Sequence, residues 1–97
     1  MFHISFTDSA EKELKRLKHS RGLEKRYLAV VKALKFLLAN PRHPGLQTHK
    51  YSSVKGPHGE EMFEAYAEQN TTGAYRIFFC YGPAKSVITV VEIIPHP

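Results

Sequence analysis

Apolar and polar residues change their spacing along this chain, and the changes predict its first elements. Residues 2–6 alternate apolar and polar side chains, which predicts a short strand. Residues 9–19 and 23–39 instead place apolar side chains three to four positions apart, which predicts two helices. Gly22 lies between them and suits a left-handed C-cap of the first helix, and Asn40-Pro41 ends the second.

The second half of the chain has the pattern of strands separated by turns. Runs rich in β-branched and aromatic residues predict strands near residues 48–52 and over 61–67, 74–81 and 87–94. Their connections are short and rich in Gly, Pro and Asn, so these strands should be antiparallel. The predicted fold class is α+β: an N-terminal strand, an antiparallel helical hairpin, then a mainly antiparallel sheet of three or four strands. Residues 1–97 should form a single domain.

Arg76 suggests which face of the sheet points away from the helices, here called the outer face. An arginine inside the strand over 74–81 is costly to bury without a partner, so its side chain should point outward. In the last strand, Glu92 shares the parity of Val90 and Ile94. The residues expected on the outer face with Arg76 are Glu64, Tyr66, Glu92 and, if the extended path continues, His96. Tyr75 and Tyr81 have the opposite parity and should lie in the core.

The uneven distribution of charge along the chain indicates more about the binding partner than the net charge does. The net charge is +5, but residues 1–55 carry 12 Lys/Arg and 4 Asp/Glu, a balance of +8. Residues 56–97 carry 2 Lys/Arg and 5 Asp/Glu, a balance of −3. This asymmetry favours a polyanion or an acidic protein as partner, with a solvated basic helical surface as the alternative.

The cysteine count and the lengths of the apolar runs indicate the compartment in which this protein works. Cys80 is the single cysteine, so neither an internal disulfide nor a CxxC zinc site is expected, which fits a reducing compartment. The amino terminus has no signal-peptide pattern, and no apolar run is long enough to cross a membrane. We therefore expect a cytoplasmic protein. The histidines show no metal-ligand spacing, so neither a metal nor another cofactor is expected.

The residues of the outer face would suit RNA cleavage. Attack of a ribose 2′-hydroxyl on the adjacent phosphate needs a base, an acid for the leaving oxygen, and positive charge near the phosphate. His96 could transfer protons near neutral pH, and Arg76 could hold the phosphate. His49, Lys50 and Lys55 could add positive charge. The alternative is that Glu64, Arg76 and Glu92 form ion pairs that carry no chemistry.

Several segments resemble the RelE/ParE toxin superfamily. Residues 74–79, AYRIFF, are similar to the penultimate strand of these toxins, which holds an arginine among apolar residues. Residues 88–97, ITVVEIIPHP, are similar to their final strand, which often closes on histidine or tyrosine. The first helix at 10–17, the helix end at 40–41 and the segment 46–50 also fit. The resemblance covers nearly the whole chain, although each motif is short.

The resemblance implies a toxin with a cognate antitoxin protein as partner, and many members cleave messenger RNA on the ribosome. Arg76 then matches the phosphate-contacting arginine and His96 the catalytic histidine near the C-terminus. Glu64 has no family counterpart, and its catalytic assignment rests on strand parity alone. Lys50 falls where RelE-like members keep basic residues. The full set of expected RNA-binding residues is Lys50, Lys55, His49, Tyr66, Lys15 and Arg16.

Two other functions stay open at this point. ParE-like relatives inhibit DNA gyrase and need no nuclease site, and a catalytically inactive module could be kept only to bind its antitoxin. His96 and the basic first half favour the ribonuclease hypothesis. Family active sites differ among members, so no fixed set of residues can be checked, and Pro95 could change the direction of His96.

Overall fold

The chain folds into one five-stranded sheet with two helices packed on one face. The computed structural model describes residues 2–95. The elements are β1 (His3–Phe6), α1 (Asp8–His19), α2 (Glu24–Ala39), a 3-10 turn (Pro44–Leu46), β2 (His49–Lys55), β3 (Glu61–Tyr66), β4 (Tyr75–Tyr81) and β5 (Val87–Pro95). The strand order is β1-β5-β4-β3-β2, with β1 parallel to β5 and the other pairs antiparallel. The predicted α+β class is confirmed.

Thr7 connects the first helix to the sheet. Its side-chain oxygen accepts a hydrogen bond from the Ala10 amide at 3.2 Å, as an N-cap residue does. The same hydroxyl donates to the carbonyl of Val91 at 2.6 Å. At the other end, α1 closes at His19 with Ser20 in an extended conformation. Gly22 does take a positive φ of 86°, but in the link between the helices, so its predicted role as C-cap is wrong.

The core lies between the helices and one face of β3, β4 and β5. The helices contribute Ala10, Leu17, Val30, Ala33, Leu34 and Leu37. The sheet contributes Ala65, Tyr75, Ile77, Phe79, Ile88, Val90 and Ile93. Because side chains alternate along a strand, burying Tyr75, Ile77 and Phe79 against the helices leaves Arg76 and Phe78 on the outer face.

A bulge in β5 corrects the simple parity prediction for the last strand. Phe78 pairs with Glu92 while Phe79 pairs with Val90, so Val91 is an extra residue between two ladder positions. The extra residue reverses the alternation. Val90 is fully buried in the core, whereas Glu92 pairs with outer-face Phe78, so the two do not share a face as strict alternation predicted.

The segment before β2 is more ordered than a plain loop. The 3-10 turn places Leu46 in the core with no exposed surface, and Gln47 follows with a left-handed φ of 48°. Strand β2 then runs three residues beyond the predicted end at 52, to Lys55. Among residues 2–95, no helix has the length and apolar character needed to span a membrane.

Candidate functional site

Four polar side chains from three neighbouring strands meet on the outer face. His49 begins β2 and pairs with Glu64 in β3. Tyr66 ends β3 and pairs with Arg76 near the start of β4. Because neighbouring strands lie about 4.8 Å apart, these positions bring the four side chains into direct contact. We call this set of residues, His49, Glu64, Tyr66 and Arg76, the outer-face cluster.

His49 is held by hydrogen-bond partners on both sides of its ring. Its Nε2 lies 2.7 Å from Oε1 of Glu64, and its Nδ1 lies 3.0 Å from the carbonyl oxygen of Gln47. Tyr66 contacts the ring edge-on, with the centroids 5.8 Å apart. Both oxygen partners are acceptors, so only the doubly protonated imidazolium can donate to both at once. The site therefore fixes a histidine that can hold a transferable proton, with its side chain about half exposed.

Arg76 lies on the other side of the same carboxylate. Its Nε is 3.6 Å from Oε2 of Glu64, and its guanidinium carbon is 3.9 Å from the centre of the Tyr66 ring. Its Nη1 donates to the carbonyl of Glu68 at 3.2 Å, which further fixes the side chain. Nε is buried without a hydrogen bond of its own. The result is a positive charge held rigidly between a carboxylate and an aromatic ring.

The outer face is less open than predicted. The parity argument placed Glu64, Tyr66 and Arg76 on one face, as found, but Glu64 is buried and the Arg76 side chain is only 12% exposed. The reason is mutual covering: Tyr66 lies over Arg76, and His49 lies against Glu64. Only the His49 side of the cluster is readily reached from solvent.

Glu92 shares this face but not the cluster. Phe78 stands between Glu64 and Glu92 in the cross-strand row, and the Glu92 carboxylate accepts a hydrogen bond from Ser9 at 3.0 Å. Next to Phe78 lies a mostly apolar hollow of about 310 Å³. Its walls are Tyr51, Val54, Lys55, Met62, Phe78, Val91, Glu92 and Ile94. Cys80 is fully buried, and burial raises the pKa of its thiol.

The chain matches known proteins by structure and not by sequence. No protein-family model and no curated protein sequence matches it. The YoeB/ParE toxin from Agrobacterium tumefaciens superposes with a TM-score of 0.70 at 9% identity over 100% of both chains. The RelE–RelB complex from Pyrococcus horikoshii OT3 matches with a TM-score of 0.63 at 14% identity, over 97% of this chain and 93% of that one. The E. coli DinJ–YafQ complex matches with a TM-score of 0.59 at 18% identity, over 99% of this chain and 94% of that one.

This chain has the RelE-like fold. The likeness runs through nearly its full length and confirms the fold that the segments AYRIFF and ITVVEIIPHP suggested. At identities of 9–18%, fold is what these structures share with it. The chemistry of the cluster has to be argued from its own residues.

The remaining predicted site residues are spread over the RelE-like fold. Lys50 points to the opposite side of β2 from His49, and its Nζ lies 3.2 Å from Glu61. Lys55 is exposed at the far end of β2. His96 lies outside the described residues, so its predicted catalytic role stays a prediction.

Lys15 and Arg16 lie on α1, across the sheet from the outer-face cluster. Arg16 bonds the Glu13 carboxylate at 2.8 Å and the Tyr75 hydroxyl at 2.9 Å. The Arg16 hydrogen bond holds the pKa of Glu13 below its usual value, and burial raises the pKa of the Tyr75 phenol. Arg16 therefore joins α1 to β4 in addition to contributing surface charge.

Sequence reasoning missed a cleft beside β2, on the helix side of the sheet. It has a volume of about 540 Å³ and includes Arg42, His43, Lys50 and Tyr81 in its walls. Tyr81 was expected in the core but is 40% exposed, because it is the last residue of β4 and its ring borders this cleft. The basic run from Arg42 to Lys50 was the available signal. Among residues 2–95, no three His, Cys, Asp or Glu side chains are grouped closely enough to hold a metal ion.

Proposed function

We propose that this protein is the toxin of a type II toxin–antitoxin system and acts in the cytoplasm as a ribosome-dependent mRNA endoribonuclease that inhibits translation. The observation that carries the proposal is the outer-face cluster: an accessible histidine bonded to a carboxylate, with an arginine fixed beside it. The RelE-like fold, which toxins such as the Agrobacterium tumefaciens YoeB/ParE protein also have, supports the toxin role.

The cluster can supply most of what RNA cleavage requires. The ribose 2′-oxygen attacks the adjacent phosphorus, the bond to the 5′-oxygen breaks, and a cyclic phosphate and a free 5′-hydroxyl form. One group must take the proton of the 2′-hydroxyl and another must give a proton to the leaving 5′-oxygen. His49 is the proton-transfer group that the geometry supports, and His96 is our predicted second one. Arg76 stabilises the charge that develops on the phosphate.

Glu64 is a positioning residue in this mechanism. It bonds His49 through one carboxylate oxygen and faces Arg76 with the other, so a single side chain sets the distance between the two. A carboxylate that is hydrogen-bonded to a catalytic imidazole fixes both the tautomer and the direction of the ring. Glu64, which strand parity alone suggested as a catalytic group, orients His49 and Arg76 in this mechanism and transfers no proton itself.

Binding to the ribosome would use cations on both sides of the sheet. His49, Lys50 and Lys55 lie on β2, with His49 in the cluster and Lys55 at the far end of the strand. Lys15 and Arg16 lie on α1, on the helix side. We propose that both groups contact RNA phosphates, on separate surfaces. Tyr66, whose ring already packs against Arg76, would help to hold the RNA at the cluster.

We further propose a cognate antitoxin that binds this chain and inhibits it. Two matching structures are complexes, RelE with RelB and DinJ with YafQ. A disordered acidic segment could fold onto the basic helical surface between Lys12 and Arg26 or cover the outer face. Retained binding by charge-reversal variants of both places would contradict this.

The test is to map mRNA 5′ ends after induced expression of the wild type, His49→Ala, Arg76→Lys and His96→Ala. We expect new 5′ ends within translated codons for the wild type. His49→Ala should reduce the number of these ends by about 100-fold or more, since general acid–base catalysis contributes about 10²–10⁴ in rate. His19→Ala is the matched control, because His19 is an exposed histidine at the end of α1. It should cleave like the wild type.

The outcomes separate the candidate functions. Growth arrest without new RNA ends, with DNA damage instead, would replace the nuclease by a gyrase inhibitor. Full cleavage by His49→Ala, with all variants folded, would remove the cluster from the mechanism. No growth defect from the wild type would leave an inactive antitoxin-binding module.

A further inference from the structure

The cleft beside β2 combines positive charge with exposed aromatic surface. Its walls are Arg42, His43, Pro44, Gln47, Thr48, His49, Lys50, Phe63 and Tyr81, with no carboxylate among them. Its volume of about 540 Å³ falls in the range of small-molecule sites. The composition therefore favours a ligand that carries both a negative charge and a flat apolar ring.

The positive charge of this cleft is available to a ligand. Within the described part of the chain, Arg42 has no carboxylate within 4.0 Å of its guanidinium. Lys50 contacts Glu61 at 3.2 Å, but that pair is about half exposed on both sides and can exchange partners at little cost. Arginine also binds phosphate through two parallel hydrogen bonds.

The aromatic side of the cleft is held in place. Tyr81 is 40% exposed, yet its ring contacts Phe2, Phe63 and Phe79 with centroids 5.3–6.0 Å apart. A rigid, partly exposed ring can stack on a nucleobase with little loss of side-chain entropy. Such stacking is the usual way in which proteins hold unpaired bases without reading their sequence.

His43 closes the cleft in a fixed orientation. Its ring stacks on Phe36 with centroids 3.9 Å apart, and its Nδ1 accepts a hydrogen bond from the Gly45 amide at 3.0 Å. An Nδ1 that accepts leaves the ring proton on Nε2, which can donate to a ligand. His49 then links the cleft to the outer-face cluster, because it lines the one and bonds Glu64 in the other.

We propose that this cleft binds one unpaired nucleotide of the RNA substrate, next to the nucleotide held at the outer-face cluster. The base stacks on Tyr81, and its phosphate lies between Arg42 and Lys50. The chain of the RNA crosses the edge strand β2 at His49. This inference rests on the proposed function for the identity of the ligand as RNA. Binding of a nucleotide in the cleft does not require that the protein cleave RNA.

The experiment measures binding separately from cleavage. A short fluorescein-labelled RNA with 2′-O-methyl groups at every position cannot be cut, because its 2′-oxygens cannot attack. Its affinity is measured by fluorescence anisotropy for the wild type, Arg42→Ala, Tyr81→Leu and Tyr81→Phe. Lys35→Ala is the charge-matched control, since Lys35 is an exposed cation on α2 and does not line the cleft.

We expect Tyr81→Leu to weaken binding by about tenfold, the lower range for loss of one stacked base. Tyr81→Phe should bind like the wild type, because stacking needs the ring and not the hydroxyl. Arg42→Ala should weaken binding by about fivefold or more, which corresponds to roughly 1 kcal/mol for one phosphate contact. Lys35→Ala should weaken binding by less than about twofold. Thermal melting identifies any variant that loses its fold, and Arg42 is exposed enough to be tested independently of Tyr81.

The outcomes distinguish this inference from the proposed function. If Arg42→Ala and Tyr81→Leu bind the single strand like the wild type, the inference is overturned even when cells show mRNA cleavage. If both variants lose binding while cells show no mRNA cleavage, the nucleotide-binding cleft is supported and the nuclease function is contradicted. Equal binding of an RNA duplex, whose bases cannot enter the cleft, would also overturn it. An affinity that depends on Lys35 as strongly as on Arg42 would overturn it as well.

Discussion

Glu64 and Glu13 are both bound by arginines, and the two pairs have different consequences. Glu64 lies between His49 and Arg76 on the outer face, where it positions groups that can act on a substrate. Glu13 lies between Arg16 and the Tyr75 hydroxyl, both within 2.8 Å, where it joins α1 to β4. The second network has no accessible histidine and belongs to the stability of the fold.

Glu13→Gln should therefore lower the free energy of unfolding by about 1 kcal/mol at neutral pH. The pKa of Glu13 is lowered in the folded state, chiefly by the Arg16 hydrogen bond, below its usual value of 4.5. Its stabilising effect is thus present above pH 4.5 and is lost as the pH falls through the lowered pKa. Urea unfolding at about pH 7 and about pH 3 checks this, since the difference from the wild type should shrink in acid.

Glu11→Gln is the control for that experiment. Glu11 lies on the same helix and faces Lys15 at 3.8 Å, but both side chains are well exposed. Exposed pairs of this kind contribute little, so the change should be below about 0.5 kcal/mol at both pH values. Equal losses for the two variants would show that Arg16, Glu13 and Tyr75 do not act as a network.

At the scale of elements, Thr7 joins three of them. It follows β1, caps α1 through the Ala10 amide, and donates to the carbonyl of Val91 at the bulge of β5. Thr7→Ala should cost about 1–2 kcal/mol of stability, since it removes a helix cap and leaves the partly buried carbonyl of Val91 without this donor. Chemical denaturation measures the loss.

Thr7→Ser keeps the hydroxyl and provides the comparison. It should recover most of the stability that Thr7→Ala loses, because the cap and the bond to Val91 both use the oxygen and not the methyl group. If serine were no better than alanine, the effect would lie in packing of the methyl group instead.

Across the whole molecule, charge surrounds the sheet on both sides. Lys15 lies on α1, which packs on one face of the sheet, and Lys55 lies on the edge strand β2. Binding to ribosomes should fall steeply with salt, and Lys55→Ala and Lys15→Ala should each reduce the slope of log affinity against log salt concentration by about 1. Ribosome co-sedimentation over a salt series measures both slopes.

Lys85→Ala is the matched change, because Lys85 is exposed in the turn before β5 and lies on neither α1 nor β2. It should leave the slope unaltered. An unchanged slope for Lys15→Ala, with a reduced one for Lys55→Ala, would restrict RNA contact to the β2 side. A binding constant insensitive to salt would contradict docking through phosphate contacts altogether.

The sequence by itself determined the order of elements and the face of Arg76. Period two and period 3.6 are local consequences of strand and helix geometry, and an unpaired charge cannot be buried cheaply, so both can be read without a structure. The parity of Glu64, Tyr66 and Arg76 followed from the same rule.

The tertiary structure decided the strand register and the exposure of individual side chains, which no local sequence pattern contains. The β5 bulge reversed the side chains before Glu92, since one extra residue shifts every position on its far side. The contact between His49 and Glu64 depends on the pairing of β2 with β3. The exposure of Tyr81 depends on how the segment before β2 packs beside the end of β4. Register and cover are set by packing between distant segments, which is why the outer-face cluster was predicted in part and the cleft was not predicted at all.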